Sequence, residues 1–306
     1  MRQQTPRWGV YLPTLDSYRQ GTPPVLDAAR SAEELGFDSV WIGDHLVFHP
    51  PLLEAMCVLS AAAAVTTRVR LGLGVLMLPL RNLVWAAKQI MTVDALAPGR
   101  LTLGVGVGGE NPEEYVAAGV PRAERGRRLD EALSVLPALL AGKPVDHPGP
   151  LLPLRSPALE PAPAASPALL VGGRSGAAME RVARYGDGWL AMWHRPETVA
   201  ARRRQLAARA AELGRDAPTT TMLVFVNVND DPAVAREQAE TLLWGQYRLP
   251  FSTVERYTVM GPPEAVAERL AAYAEAGVTE FAIHPAAPDV LTQYKAYAKV
   301  RNLLHR

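Results

Sequence analysis

Apolar residues fall into short runs that alternate with longer amphipathic stretches along the chain. Residues 8–13 (WGVYLP) form an apolar run of strand length. Residues 23–37 have helical spacing, with prolines at the start and Gly36 near the end, the usual marks of a helix's two ends. The alternation then repeats. Strands are predicted over residues 39–44, 69–78, 101–108, 168–173, 187–193, 219–229 and 280–286. Helices are predicted over 53–67, 82–97, 125–142, 175–186, 196–214, from Pro232 to about Tyr247, over 262–277 and from Asp289 onward. The strand runs are apolar on both faces, as parallel strands covered by helices must be. Eight strands, each followed by helix, predict an α/β fold of the (β/α)8 TIM-barrel type, in one domain over residues 1–306. An open doubly wound sheet is the alternative; the count of eight favours the closed barrel.

Two segments break the rhythm. Residues 143–167 are rich in proline. Their place after a helix and before a strand predicts an ordered insertion on the N-terminal face of the barrel, which is usually structural. Residues 245–261 are irregular and carry Tyr247, Phe251 and Tyr257. They read equally as a lid above the barrel or as a helix-packing segment.

Composition narrows the function classes. The chain has 306 residues, is 48% hydrophobic and has a net charge of +1, so no strong field favours nucleic acid or a membrane surface. The arginine-rich runs at 125–128 and 201–205 fall in helical sequence and are expected to form solvated faces. The single cysteine, Cys57, excludes a disulfide framework. The N-terminus carries no apolar signal core, and no run reaches the length that spans a bilayer. The expectation is a soluble, cytoplasmic protein.

In a barrel the chemistry belongs at the C-terminal ends of the strands. The second strand ends SVWIGDH, residues 39–45, so Asp44 and His45 stand at its tip. A strand end followed by a helix cap is the plain alternative. The third strand reads GLGVLML, and glycine inside a strand often marks a bulge or a close approach by a ligand. The fifth strand ends VGGRSG and runs straight into a helix. Gly172, Gly173, Arg174 and Ser175 would there offer free N–H groups, a helix dipole and a guanidinium to a phosphate. Alternatively, Ser175 simply caps the helix. Gly104, Gly106 and Gly109 match G-x-G-x-x-G, but inside the fourth strand and with no acid-ended strand after it, so a dinucleotide site is rejected. The first strand ends Tyr11-Leu12-Pro13 rather than in the His-x-His of a metal-dependent hydrolase, and no metal is expected.

Four segments in this order carry a resemblance: LGFDSVWIGDHL; RVRLGLGVLMLPLRNLVWAAKQIMTVDALAPGRLTLGVGVG; GVPRAERGRRLDEAL; and LLVGGRSGAAMERVARYGDGW. The chain resembles the luciferase-like monooxygenase superfamily over roughly residues 8–193, most closely its F420-dependent branch. The resemblance implies a barrel enzyme using F420, or FMN as the alternative. It places Asp44 near the edge of the ring and makes His45 the general acid/base. It implies a bulge with a non-prolyl cis peptide at Gly74-Val75 under the ring. Val107 and Glu110 would contact the ring or substrate, and Gly172, Gly173, Arg174 and Ser175 would hold the cofactor phosphate. In sugar-phosphate-oxidising relatives a tryptophan follows the Asp-His pair; Phe48-His49 occupies that place here, which points to a small, mainly apolar substrate. Arg81 could reach an acidic cofactor tail. The first expectation is an F420-dependent oxidoreductase transferring hydride. The second is an FMN-dependent monooxygenase that uses O2 and reduced flavin from a separate reductase. The third is a flavin-binding barrel without catalysis. A homodimer is expected, with no nucleic-acid or membrane partner.

Overall fold

In the computed structural model, residues 5–21, 24–109 and 111–304 are described. Eight parallel strands close into a barrel: β1 (Arg7–Tyr11), β2 (Ser39–Ile42), β3 (Arg70–Leu76), β4 (Leu101–Val105), β5 (Ala168–Gly172), β6 (Gly188–Met192), β7 (Thr219–Val228) and β8 (Glu280–Pro285). Each strand pairs with the next in chain order, and β8 pairs with β1, with Arg7 opposite Glu280. This is the (β/α)8 fold that the alternation of patterns predicts, and the open-sheet alternative falls away.

The helices lie outside: α1 (Val25–Glu34), α2 (Ala55–Val65), α3 (Leu83–Leu96), α4 (Glu113–Ala117), α5 (Arg125–Leu140), α6 (Gly176–Tyr185), α7 (Pro196–Glu212), α8 (Pro232–Tyr247), α9 (Phe251–Val254), α10 (Pro263–Glu275) and α11 (Val290–Leu304). One apolar cluster joins the strands to these helices. A second holds Tyr11, Trp41, Leu170, Leu190, Leu223, Phe225 and Ala282, side chains from strands all round the barrel. Trp41 is fully buried. It fits because glycines on the two adjacent strands, Gly72 opposite it on β3 and Gly9 two residues before its partner on β1, leave room: a Cβ on Gly9 or Gly72 would lie 2.6 or 2.4 Å from the indole. Below it, Glu280 accepts from Arg70 at 2.8 Å, Arg7 at 3.1 Å and Ser39 at 2.6 Å. The N-terminal end of the barrel is therefore closed by a paired carboxylate, and a site can open only at the other end.

The proline-rich insertion forms a two-stranded antiparallel hairpin, Val145–His147 with Leu154–Ser156. Glu131 of α5 tethers it by accepting the N–H groups of Leu151 and Leu152. In the other irregular segment, α8 ends at Tyr247, Phe251 and Val254 are buried, and Val259–Gly261 pairs with the C-terminal part of β7, which at ten residues outruns its neighbours. Among the described residues no helix is long and apolar enough to cross a membrane.

Candidate functional site

A cavity of about 180 Å³ lies at the C-terminal end of the barrel. It collects residues far apart in sequence: Asp44, His45, Gly74, Val75, Val107, Gly172, Gly173 and Arg174 all line it. Glu110 lies outside the described residues.

The floor is built at β3. The Gly74-Val75 peptide is cis, and the pairing of β3 with β4 slips between Leu73 and Leu76. Val75 is thereby set between glycines of the two following strands. A Cβ on Gly106 would lie 2.6 Å from Val75 Cγ2, and one on Gly172 would lie 2.7 Å from its Cγ1. Tyr11 donates its hydroxyl to the Gly74 carbonyl at 2.7 Å and holds the bulge from β1. The product is a shallow apolar step with backbone exposed on either side, the type of surface on which a flat ring can rest.

At the tip of β2 the two neighbours Asp44 and His45 do different things. Asp44 is 4% exposed. Its Oδ2 accepts the Met77 N–H at 2.9 Å and Arg81 Nε at 3.2 Å, and its Oδ1 accepts Arg81 Nη2 at 2.7 Å. Both oxygens are engaged in holding the exit of β3. Burial opposes the charge on Arg81, but Asp44 and Glu54 outweigh it and raise the guanidinium above its ordinary value. Arg81 is thus committed to these two carboxylates, not directed to a cofactor tail.

His45 faces the cavity and has a partner that strand-end reasoning missed. Its Nδ1 stands 3.0 and 3.2 Å from the two carboxylate oxygens of Glu114, which is fully buried in α4. Glu114 also accepts the Leu46 N–H at 2.9 Å, so the carboxylate fixes both the ring and the backbone after it. The Phe48 ring stacks on the imidazole at 3.8 Å and 13°, and Tyr247 meets Phe48 edge-on. With Nδ1 turned to Glu114, Nε2 is the nitrogen left for a ligand. The available signal was the adjacent acids Glu113 and Glu114 after the fourth strand, but burial of one of that pair depends on tertiary packing.

The strand-to-helix turn after β5 is open. Ser175 is the N-cap of α6 and accepts the Ala178 N–H at 3.2 Å, so the plainer reading holds for its side chain, which does not line the cavity. Gly173 takes φ +129° and its carbonyl accepts Trp189 Nε1 at 3.0 Å. Arg174 lies over the Trp193 ring at 5.3 Å. The first turn of α6 holds no acidic residue, and a Cβ on Gly176 would meet nothing within 4 Å. This end of α6 suits an anion on the grounds of dipole, free N–H groups and a neighbouring guanidinium.

The remaining wall is apolar or neutral: Met77, Leu190, Met192, Trp193, Tyr247, Gln246 and His284. Burial pushes His284 down from 6.5 to about 4, so it is uncharged at neutral pH. Asn227, another strand-end polar residue, turns to the Ala235 and Ala286 carbonyls and serves the fold. Among the described residues no group of three histidines, cysteines or carboxylates is placed to share a metal ion.

The family model described as luciferase-like monooxygenase matches residues 8–252. The chain belongs to this family. It is accordingly an oxidoreductase. It is 30% identical over 303 residues to an F420-dependent glucose-6-phosphate dehydrogenase of Beutenbergia cavernae, covering 88% of this chain and 89% of the relative. It is 32% identical over 213 residues to an uncharacterised protein of Mycobacterium tuberculosis, covering 63% and 72%. Among solved structures, an F420-dependent secondary alcohol dehydrogenase in complex with an F420-acetone adduct superposes with a TM-score of 0.87 at 21% identity, over 98% of this chain and 99% of the other. At that identity the likeness concerns the fold.

Proposed function

We propose that this family member is an F420-dependent oxidoreductase that moves hydride between the deazaflavin and a small, uncharged, mainly apolar alcohol or carbonyl compound. The observation that carries the reading is the His45–Glu114 pair facing the cavity beside the Gly74-Val75 step. The step, the glycines of β4 and β5 and the N-terminus of α6 with Arg174 fit a flat ring with an anionic tail. When bound, the deazaflavin supplies hydride acceptance and donation. Glu114 accepts the Nδ1–H of His45 and keeps Nε2 as the acceptor toward the cavity. His45 Nε2 takes the proton of a substrate hydroxyl during oxidation and returns it to the carbonyl oxygen during reduction. The imidazolium formed in between lies against a buried carboxylate, which lowers the cost of its charge. Asp44 acts through its neighbours, by holding Met77 and Arg81 at the exit of β3. Phe48 covers one face of the imidazole, and Met77, Met192 and Tyr247 make the surrounding wall largely apolar.

The F420-dependent relatives at about 30% identity support the cofactor. Their sugar phosphate is a poorer fit, since Arg174 is the only lysine or arginine lining the cavity among the described residues and belongs to the anion cradle. One observation favours a second reading, an FMN-dependent monooxygenase: a single arginine beside α6 suits a single terminal phosphate. Parallel titration of the protein with F420 and FMN, oxidised and reduced, separates the two. Tight F420 binding with weak FMN binding is the expected outcome. Preference for reduced FMN, with oxygen uptake, would move the assignment to oxygenation.

A further inference from the structure

Behind the wall of the site lies a second cavity of about 210 Å³, between the exits of β1 and β8, the end of α8 and the start of α11. Tyr11, Leu15, Gln246 and His284 line both cavities and form the partition shared between them. Tyr11 is fixed by its bond to Gly74 and stacks on His284 at 5.2 Å. His284 is fixed by the Pro285 carbonyl, 3.2 Å from Nδ1, which makes Nε2 an acceptor. Gln246 is held by Ser17, so Leu15 is the member of the four whose side chain makes no hydrogen bond.

Gln246 is 2% exposed. Its Nε2 donates to Ser17 Oγ at 2.9 Å and makes a long contact of 3.4 Å with His284 Nε2. Its Oε1 has no hydrogen-bond partner among the described residues, nor does the hydroxyl hydrogen of Ser17. A free acceptor and a free donor thus stand side by side on one wall. A hydroxyl group satisfies both at once, donating to Gln246 and accepting from Ser17. Gln246 Oε1 meets open space; the buried hydroxyl without a partner among the described residues of this lining is that of Thr14, which adds a further polar group for a ligand to meet. Leu12, Pro13, Leu242, Pro285 and Val290 make much of the lining apolar, and Thr14, Tyr18 and Gln20 add uncharged polar groups. No lysine or arginine is among the described residues that line it, and Asp16, which does, already accepts the N–H groups of Gln20 and Gly21. An anion is disfavoured here.

We propose that the second cavity is a subsite for the far end of an uncharged, largely apolar substrate bearing a hydroxyl group, reached from the first cavity past Leu15. The word substrate rests on the redox reading of the first cavity; the hydroxyl site does not. The test uses the full chain, with 1-hexanol as calorimetric probe, hexanoate as its charged counterpart and 6-bromo-1-hexanol for crystallography, where the bromine marks the chain. The alcohol oxygen is expected between Gln246 and Ser17. Ser17→Ala and Gln246→Leu should each weaken 1-hexanol by about three- to tenfold, the loss of one neutral hydrogen bond, and hexanoate should bind at least about tenfold more weakly than 1-hexanol. Absence of binding, an alcohol held only in the first cavity, equal affinity in both variants, or hexanoate binding as well as hexanol would each overturn the subsite. F420 binding is followed separately by its fluorescence. Its failure while hexanol binds as described would overturn the redox reading and leave the hydroxyl site standing.

Discussion

His45 and His284 stand at strand ends around the same cavity, in opposite electrostatic settings. His45 has a buried carboxylate at Nδ1 and an aromatic ring on its face. His284 has a carbonyl, an amide and two aromatic rings, and nothing charged in contact. The first arrangement sets a carboxylate against the ring; the second keeps the imidazole neutral. The difference teaches that in this cavity residue type does not decide which histidine is fitted to act as an acid or base. The partner does.

The largest effect that would break this comparison is at His45. His45→Ala should lower kcat by about 10²–10⁴-fold while F420 affinity stays within a small factor, measured by steady-state kinetics and fluorescence titration. Full turnover in that variant would remove the proton role. Next comes Glu114→Gln, which keeps an acceptor for the Leu46 N–H but no longer stabilises an imidazolium. A fall in kcat of roughly tenfold to a hundredfold is expected, with an altered pH profile and little change in melting temperature. An unchanged pH profile would mean that Glu114 only supports the loop. The smallest effect concerns His284 and is read as stability. Its folded value near 4 lies below its ordinary 6.5, so the unfolded chain takes the proton first as pH falls. The contribution is complete above about pH 6.5 and is lost progressively between about 6.5 and 4. Its size is on the order of 2 kcal/mol, less than the full shift implies because the ring touches two cavities. His284→Gln should flatten the dependence of melting temperature on pH in that window, and an unaltered slope would show that the ring is well hydrated.

Much of this was legible from the chain. The eight strands appear as apolar runs because both faces are covered, and their ends name Asp44, His45, Gly74, Val75 and Gly172 directly. Of the two glycines in GLGVLML, Gly74 marks the disturbance in β3, while Gly72 makes room for Trp41. What stayed hidden depends on distance through space. Glu114 is one of two adjacent acids in a five-residue helix, and nothing local says which one packs under the barrel rim. Arg81 has the look of a free loop cation until β2 brings Asp44 against it. The partition of Gln246 and Leu15 joins residues more than two hundred positions apart. No local pattern encodes such a meeting.

Val75 is gripped by the main chains of two other strands, which cannot be edited by substitution, whereas Gln246 and Leu15 meet through their side chains alone. The two sides of the chamber therefore differ in how readily they change. The side built on Val75 admits almost no drift, since any side chain added at Gly106 or Gly172 collides with Val75. The opposite side can be remodelled one residue at a time without disturbing it. A lineage built on this barrel can trade one substrate for another while its redox chemistry stays where it is.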